Sequence, residues 1–328
     1  MYPVGMRFGY FLAENETAFN LCPFMRNCVS FNPHWLVDLM KAFLKSEFAP
    51  VAKNVAGFHV IPVPMEVSVS YGRGTRQGPQ ALITASQQLE ADIYGYRPGD
   101  LGIHTQKPVV QRTRQAEVWL EAIAARVADA LRWQAVPVLL GGEHTVTLGA
   151  ARAFKAAGRD IGFIHFDAHA DLRDAYEGSP FSHACVMRRV HELGFPIVQI
   201  GTRAVAQEER DYRAAHPETI TAYDGIDIAD GKMPADFIPR GFPKEVYVSF
   251  DVDGLDPSVM PATGTPVPGG LLWYDVVRMM RTVTASCRVC GIDIVELAPV
   301  KGLHAANFTA ALLAHLLMAM AQCWNPAN

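Results

Sequence analysis

The chain has 328 residues and a formal net charge of −4, from 29 Lys and Arg against 33 Asp and Glu, with a pI near 6.3. That balance offers no basic footprint to a phosphate backbone or an anionic lipid surface, which argues against nucleic-acid and membrane partners. With 50% hydrophobic and 19% charged residues the chain is too apolar for disorder, and a large buried sheet is expected.

Residues 1–50 show weak periodicity and contain Cys22 and Cys28. They read as an N-terminal arm to which no function is assigned. They lack the basic stretch, long apolar core and small-residue cleavage site of a signal peptide, and the six cysteines have neither the density nor the spacing of a disulfide framework. A reduced, cytoplasmic protein is the expectation.

Residues 51–328 contain no flexible linker, charge block or repeat, so they read as one α/β unit. FHVIPVP (58–64) opens it as a strand, and TRQAEVWLEAIAARVADALRW (113–133) carries apolar residues at helical spacing. AVPVLLGG (135–142), TLGAARAFKAAG (147–158), DIGFIHFDAH (160–169), PIVQIGT (196–202) and EVYVSFDVD (245–253) continue the alternation. YDVVRMMRTVTAS (274–286) is a further helix and RVCGIDIVEL (288–297) a further strand. The C-x-x-C of Cys287 and Cys290 falls at this last strand and reads as packing. AANFTAALLAHLLMAMAQCW (305–324), interrupted by Asn307, His315 and Gln322, reads as a buried helix rather than a membrane span. Strand and helix alternating in this way predict a parallel sheet covered on both faces.

In such a sheet ligands gather at the carboxyl ends of the strands. Four of them end in polar clusters: VLLGGEHT, FIHFDAHAD, VSFDVDGLDP and GIDIVELAP. Asp167, His169 and Asp171 alternate, so a continued strand would aim all three to one side, where they could share a cation. Asp251 and Asp253 repeat the pattern, and His144 follows two glycines that permit close approach. Four aspartates carry −4, which two divalent cations cancel, and a set of carboxylates and imidazoles without thiolate favours Mn2+, with Ni, Co and Zn open. His165 reads as support or packing, Asp256 as a loop cap, and Asp293 as part of the strand-end network.

The motifs G-G-E-H-T (141–145), F-D-A-H-A-D (166–171), S-F-D-V-D-G-L-D-P (249–257), P-A-T-G-T-P-V-P-G-G (261–270) and G-I-D-I-V-E-L (291–297) resemble, in order and spacing, the ureohydrolase family of arginases and agmatinases. V-S-Y-G-R-G-T-R-Q-G-P (69–79) looks like the family's N-terminal loop, and the resemblance covers about Gly57 to Ala321. It implies a three-layer α/β/α fold with a central, mostly parallel sheet, of the arginase/deacetylase type, and two Mn2+ per chain. By resemblance one metal takes His144, Asp167, Asp171 and Asp251, and the other Asp167, His169, Asp251 and Asp253. Glu296 matches the glutamate that grips the guanidinium, His183 in S-P-F-S-H-A-C matches the proton-shuttling histidine, and Asp171 is suited to relay a proton. Homotrimers or homohexamers are implied as well.

The substrate implied is a small guanidino compound cleaved to urea and an amine. The loop D-L-R-D-A-Y-E-G-S-P-F-S-H (171–183) resembles that of bacterial and archaeal agmatinases and lacks the Asn/Ser-rich stretch with which arginases hold an amino-acid head group. Agmatine, giving putrescine, is therefore placed first, with Asp174 and Glu177 as candidate acceptors for its ammonium. N1-aminopropylagmatine, guanidinobutyrate, arginine and formiminoglutamate follow. A catalytically silent, metal-binding relative is the non-enzyme alternative.

Overall fold

Strands buried on both faces can satisfy their backbone N–H and C=O groups only by pairing, and the apolar runs here do so. A computed structural model describes residues 42–323. In chain order the elements are β1 (Phe58–Val63), α1 (Gly78–Ala85), β2 (Ile103–Thr105), α2 (Ala116–Arg132), β3 (Val136–Gly141), α3 (Val146–Ala156), β4 (Gly162–Phe166), α4 (Val186–Glu192), β5 (Ile197–Ile200), α5 (Gln207–Ala215), β6 (Ile220–Tyr223), α6 (Gly225–Ala229), β7 (Glu245–Asp251), α7 (Trp273–Ser286), β8 (Arg288–Val295) and α8 (His304–Gln322). All the strands are parallel, in one sheet of order β2-β1-β3-β8-β7-β4-β5-β6.

Period-2 alternation sorts side chains between the faces. Val138 and Leu140 join Leu82, Val276 and Leu316 in one apolar cluster, whereas Leu139 and Phe163 join Trp119, Phe154 and Met187 in another. Helices α1, α7 and α8 thus cover one face and α2, α3 and α4 the other, which gives the three α/β/α layers. Among the described residues α8 is the one helix long and apolar enough to cross a membrane. Leu313, Leu316, Leu317 and Met320 nonetheless lie in the protein core. Burial of each such side chain stabilises the fold by about 1.5–3 kcal/mol, so the helix serves the sheet.

The six expected strands are all present. The two that the sequence did not disclose, β2 and β6, lie at the sheet edges, are three and four residues long, and each begin with a single buried residue. Short edge strands carry little of the apolar pattern that marks central ones.

Residues 1–41 of the expected arm lie outside the described residues. Phe43 and Leu44 are buried in the body, where their backbone N–H groups donate to Thr105 Oγ1 and Ser86 Oγ, each at 3.0 Å.

The order β3-β8-β7-β4 at the sheet centre decides where the chemistry lies. Leu140 pairs with Ile294, Asp251 with Val295, and Phe166 with Phe250, so these strands end nearly level. Residues 142–145, 167–171, 251–253 and 296 therefore emerge at one carboxyl edge.

Candidate active site

His144 lies in the turn from β3 into α3. Gly142 makes that turn possible, because a Cβ there would sit 1.9 Å from Met65 O. Three buried hydrogen bonds orient the imidazole. Thr147 Oγ1 donates to Asp293 Oδ2 at 2.7 Å, Ser249 Oγ donates to Asp293 Oδ1 at 2.9 Å, and Ser249 Oγ lies 2.9 Å from His144 Nε2. With its proton committed to Asp293, Ser249 accepts from Nε2–H, so Nδ1 is the ring atom turned away from this network. That atom is buried without a hydrogen-bond partner and faces Asp167 Oδ2 and Asp171 Oδ2, each at 3.1 Å, and Asp251 Oδ2 at 3.3 Å. Asp293 thus belongs to the strand-end network the sequence suggested, and Ser249 and Thr147 complete it.

Asp167, His169 and Asp171 converge, but not along an extended strand. Strand β4 stops at Phe166, and Asp171 has a left-handed backbone, φ 54°. The Asp167 carboxylate itself turns the chain by accepting from His169 N at 2.6 Å. His169 Nδ1 then lies 3.1 Å from Asp253 Oδ2 and 3.4 Å from Asp167 Oδ1. Asp167 consequently belongs to two donor groups, one with His144 and Asp171, the other with His169 and Asp253. Asp251 and Asp253 are fixed by backbone N–H groups: Asp253 N donates to Asp251 Oδ1 at 2.8 Å, and Ala168 N to Asp253 Oδ1 at 3.0 Å.

His165 approaches Asp167 Oδ2 at 2.9 Å through Nε2. Its role follows from the far side of the ring. Arg213 Nε donates to Gln199 Oε1 at 2.8 Å, which points the Gln199 amide nitrogen at His165 Nδ1, 3.0 Å away. Nδ1 is then the acceptor and Nε2–H donates to Asp167. Burial pulls His165 down to about 4, so the ring is neutral and orients the aspartate.

The electrostatics show an excess of buried negative charge. Burial, reinforced by Asp167, pushes Asp171 up to about 7. Burial and Asp253 raise Asp251 far above the carboxylate range, and burial and Asp167 raise Asp253. Against the opposing effect of burial, Asp167 and Asp253 drive His169 up to about 12. Divalent cations relieve this strain directly. These carboxylates and the imidazoles of His169 and His144, the latter presenting its orphaned Nδ1, suit hard or borderline cations, and no thiolate is among them.

Glu296 follows β8 with φ 63°. Its N–H donates to Gly142 O at 2.9 Å and its Oε1 accepts from His144 N at 2.6 Å, which ties the β3 and β8 turns together. Burial and Glu143 hold its carboxyl well above the usual range. It lines one cavity with His169, Asp171, Asp251, Asp253 and His183. His183 opens a short turn before α4 and meets the Tyr176 ring edge-on, centroids 5.9 Å apart.

The proposed tail acceptors are not brought to this cavity. Asp174 is exposed and paired with Arg189, Oδ1 to Nη2 2.7 Å. Glu177, at φ 49°, lines an adjoining groove. In their place the wall carries Arg173 and Glu209. Arg173 is held by Glu208 at 2.8 Å and lies over Tyr176. Glu209 is buried and accepts from Leu172 N and Ala206 N. Cys287 and Cys290 are buried near the opposite sheet edge, with burial pushing their thiols up to about 11 and about 12.

Comparison with known proteins agrees with this geometry. The family model of the arginase family matches residues 56–322. An N(1)-aminopropylagmatine ureohydrolase of Synechocystis sp. is 38% identical over 88% of this chain and 96% of its own. An agmatinase of Pyrococcus horikoshii is 32% identical over 81% and 92%. The crystal structure of the agmatine ureohydrolase of Thermoplasma volcanium superposes with a TM-score of 0.75 at 28% identity, covering 88% of this chain and 98% of that one. The family match spans every strand of the sheet and every residue of the cluster, and on that ground the chain belongs to the arginase family.

Proposed function

We propose that the protein hydrolyses the guanidino group of agmatine, giving putrescine and urea, with two Mn2+ per chain. The observation that carries the reading is the sharing of Asp167 between two donor groups, whose His169, Asp171 and Asp253 line one cavity with Glu296. His144, Asp167, Asp171 and Asp251 would hold one cation, and Asp167, His169, Asp251 and Asp253 the other. A bound cation pair supplies a water made nucleophilic near neutral pH.

The chain's own residues do the rest. Glu296 offers a planar carboxylate that can hold a guanidinium by paired, charge-assisted hydrogen bonds, and the cation in turn restores the ionised state that burial disfavours. The guanidino carbon gains a C–O bond and loses its C–N bond to the alkylamine, so the departing nitrogen needs a proton. Asp171, on the cavity wall with Glu296, can hold one, and His183 can exchange one with solvent.

N1-aminopropylagmatine is the second reading, favoured by the higher identity to the Synechocystis enzyme than to the Pyrococcus agmatinase. Steady-state urea release from Mn-loaded protein, measured with agmatine, N1-aminopropylagmatine, guanidinobutyrate and arginine, decides. A preference for arginine over agmatine of about tenfold or more overturns the assignment. Protein that binds two Mn yet turns over none of the four supports a silent relative.

A further inference from the structure

The loop that borders the cavity is tied to His183 through a buried carboxylate that the reaction scheme does not use. Glu143 precedes His144 and is fully buried. Its Oε2 accepts from Val67 N at 2.6 Å and Ser68 N at 2.7 Å, and its Oε1 accepts from Ser68 Oγ at 2.9 Å. The single hydroxyl proton of Ser68 is therefore committed to Glu143, and the lone pairs of Oγ are left to face the other way.

They face His183. The backbone N–H of His183 donates to Ser68 Oγ at 3.1 Å, and His183 Nδ1 lies 3.3 Å from the same oxygen. An oxygen that can only accept favours a proton on Nδ1. Ser182 Oγ, also 3.3 Å from Nδ1, can rotate to accept from it as well. A neutral ring protonated at Nδ1 leaves its lone pair on Nε2, which has no hydrogen-bond partner among the described residues. The charged and titratable groups around the ring are Glu143, His144, His169 and, edge-on, Tyr176.

We propose that Glu143 and Ser68 form a positioning relay that holds His183 in its Nδ1–H tautomer, so that Nε2 is the atom through which it exchanges protons at the cavity. The relay rests on the reading of His183 as the proton-exchanging residue. The logic is that of a carboxylate orienting a catalytic histidine, with a serine hydroxyl interposed between the two. Ser68 is a positioning residue, since it acts through His183.

The test is a double-mutant cycle on Mn-loaded full-length protein, with metal content and thermal unfolding measured for each variant. Ser68→Ala should lower kcat for urea release about tenfold, a fraction of the about 10²–10⁴-fold a general acid–base group supplies, with KM unchanged. Ser68→Thr, which keeps the hydroxyl, should restore most of that loss. In a His183→Ala background, Ser68→Ala should have no further effect. The relay is overturned if Ser68→Ala leaves kcat within twofold of the parent, if Thr does not rescue, or if the same fold loss persists without His183. If His183→Ala alone leaves kcat unchanged, the underlying reading of His183 fails, and that result is distinct from the others.

Discussion

Replacing Gln199 with Leu isolates the buried chain that ends on the shared aspartate. Gln199 has no exposed surface and makes three hydrogen bonds: from Arg213 Nε at 2.8 Å, to His165 Nδ1 at 3.0 Å and to Ala170 O at 2.7 Å. Leucine fills a similar volume and removes all three. Each buried group left without a partner costs about 1–3 kcal/mol, but Arg213 keeps Asp224 and Thr202, each at 3.0 Å, so its loss is the smallest. Non-additivity among neighbours brings the expected loss of stability to about 2–4 kcal/mol. The second effect is more specific. Without the amide donor, His165 is free to move its proton to Nδ1, and the bare Nε2 would then face Asp167 Oδ2 at 2.9 Å, acceptor against acceptor. Asp167 loses its orientation, and Mn2+ affinity should fall about 10- to 100-fold, the usual cost of losing a group that orients a metal ligand. Competition of the protein with a chelator of known affinity measures this, and urea denaturation of metal-free protein measures the stability separately. If Mn2+ affinity stays within about threefold of the parent, the assignment of the Gln199–His165 pair is refuted.

Gly142→Ala should destabilise the protein by about 3 kcal/mol and abolish urea release, because its Cβ would meet the Met65 carbonyl at 1.9 Å and push the His144 turn out of place; denaturant midpoint and activity check it. Glu296→Gln should lower kcat/KM about 100-fold or more while bound metal stays the same and the melting temperature does not fall, since burial and Glu143 already oppose the ionised carboxylate. A marked loss of stability would contradict that. Asp256 accepts from Ser258 Oγ and N and from Gly269 N and Gly270 N, and the Ser258 hydroxyl and backbone N–H pull its carboxyl down to about 2. A depressed folded-state pKa stabilises the fold above the unfolded value of about 3.9, and that contribution is lost as pH falls through about 2. Solvent screening at this partly exposed site keeps it near or below about 1 kcal/mol. Asp256→Asn should therefore flatten the stability profile between those pH values in acid titrations followed by circular dichroism.

Much of this was legible in the sequence because the relevant patterns are local. Short, largely apolar runs with β-branched and aromatic residues identify β3, β4, β7 and β8, and polar residues directly after a buried strand have only one sheet edge to occupy, which brings His144, the 167–171 trio, Asp251 and Asp253 together. The manner of their convergence was not legible. The alternation of Asp167, His169 and Asp171 suggested an extended strand, whereas a side-chain to backbone hydrogen bond at Asp167 and a left-handed Asp171 turn the chain instead. Support from distant segments left no local trace either: Gln199 and Arg213 act on Asp167 from β5 and α5, and Ser68 reaches His183 across 115 residues. Charge sign alone misled at Asp174, since nothing in the loop indicated that Arg189, one turn into α4, would claim it.

The position of β7 and β8 has a bearing on how the protein comes into being. The last two strands to be synthesised insert between β3 and β4, so a nascent chain ending before about residue 245 has two apolar strand edges awaiting partners that do not yet exist. Pairings of such long sequence separation form slowly, and exposed edges of this kind invite association with other chains. The full donor set cannot assemble before that insertion, because Asp251 and Asp253 arrive with β7. On the ribosome, completing the donor cluster is thus a late event, open only to a chain whose sheet has already closed through its middle.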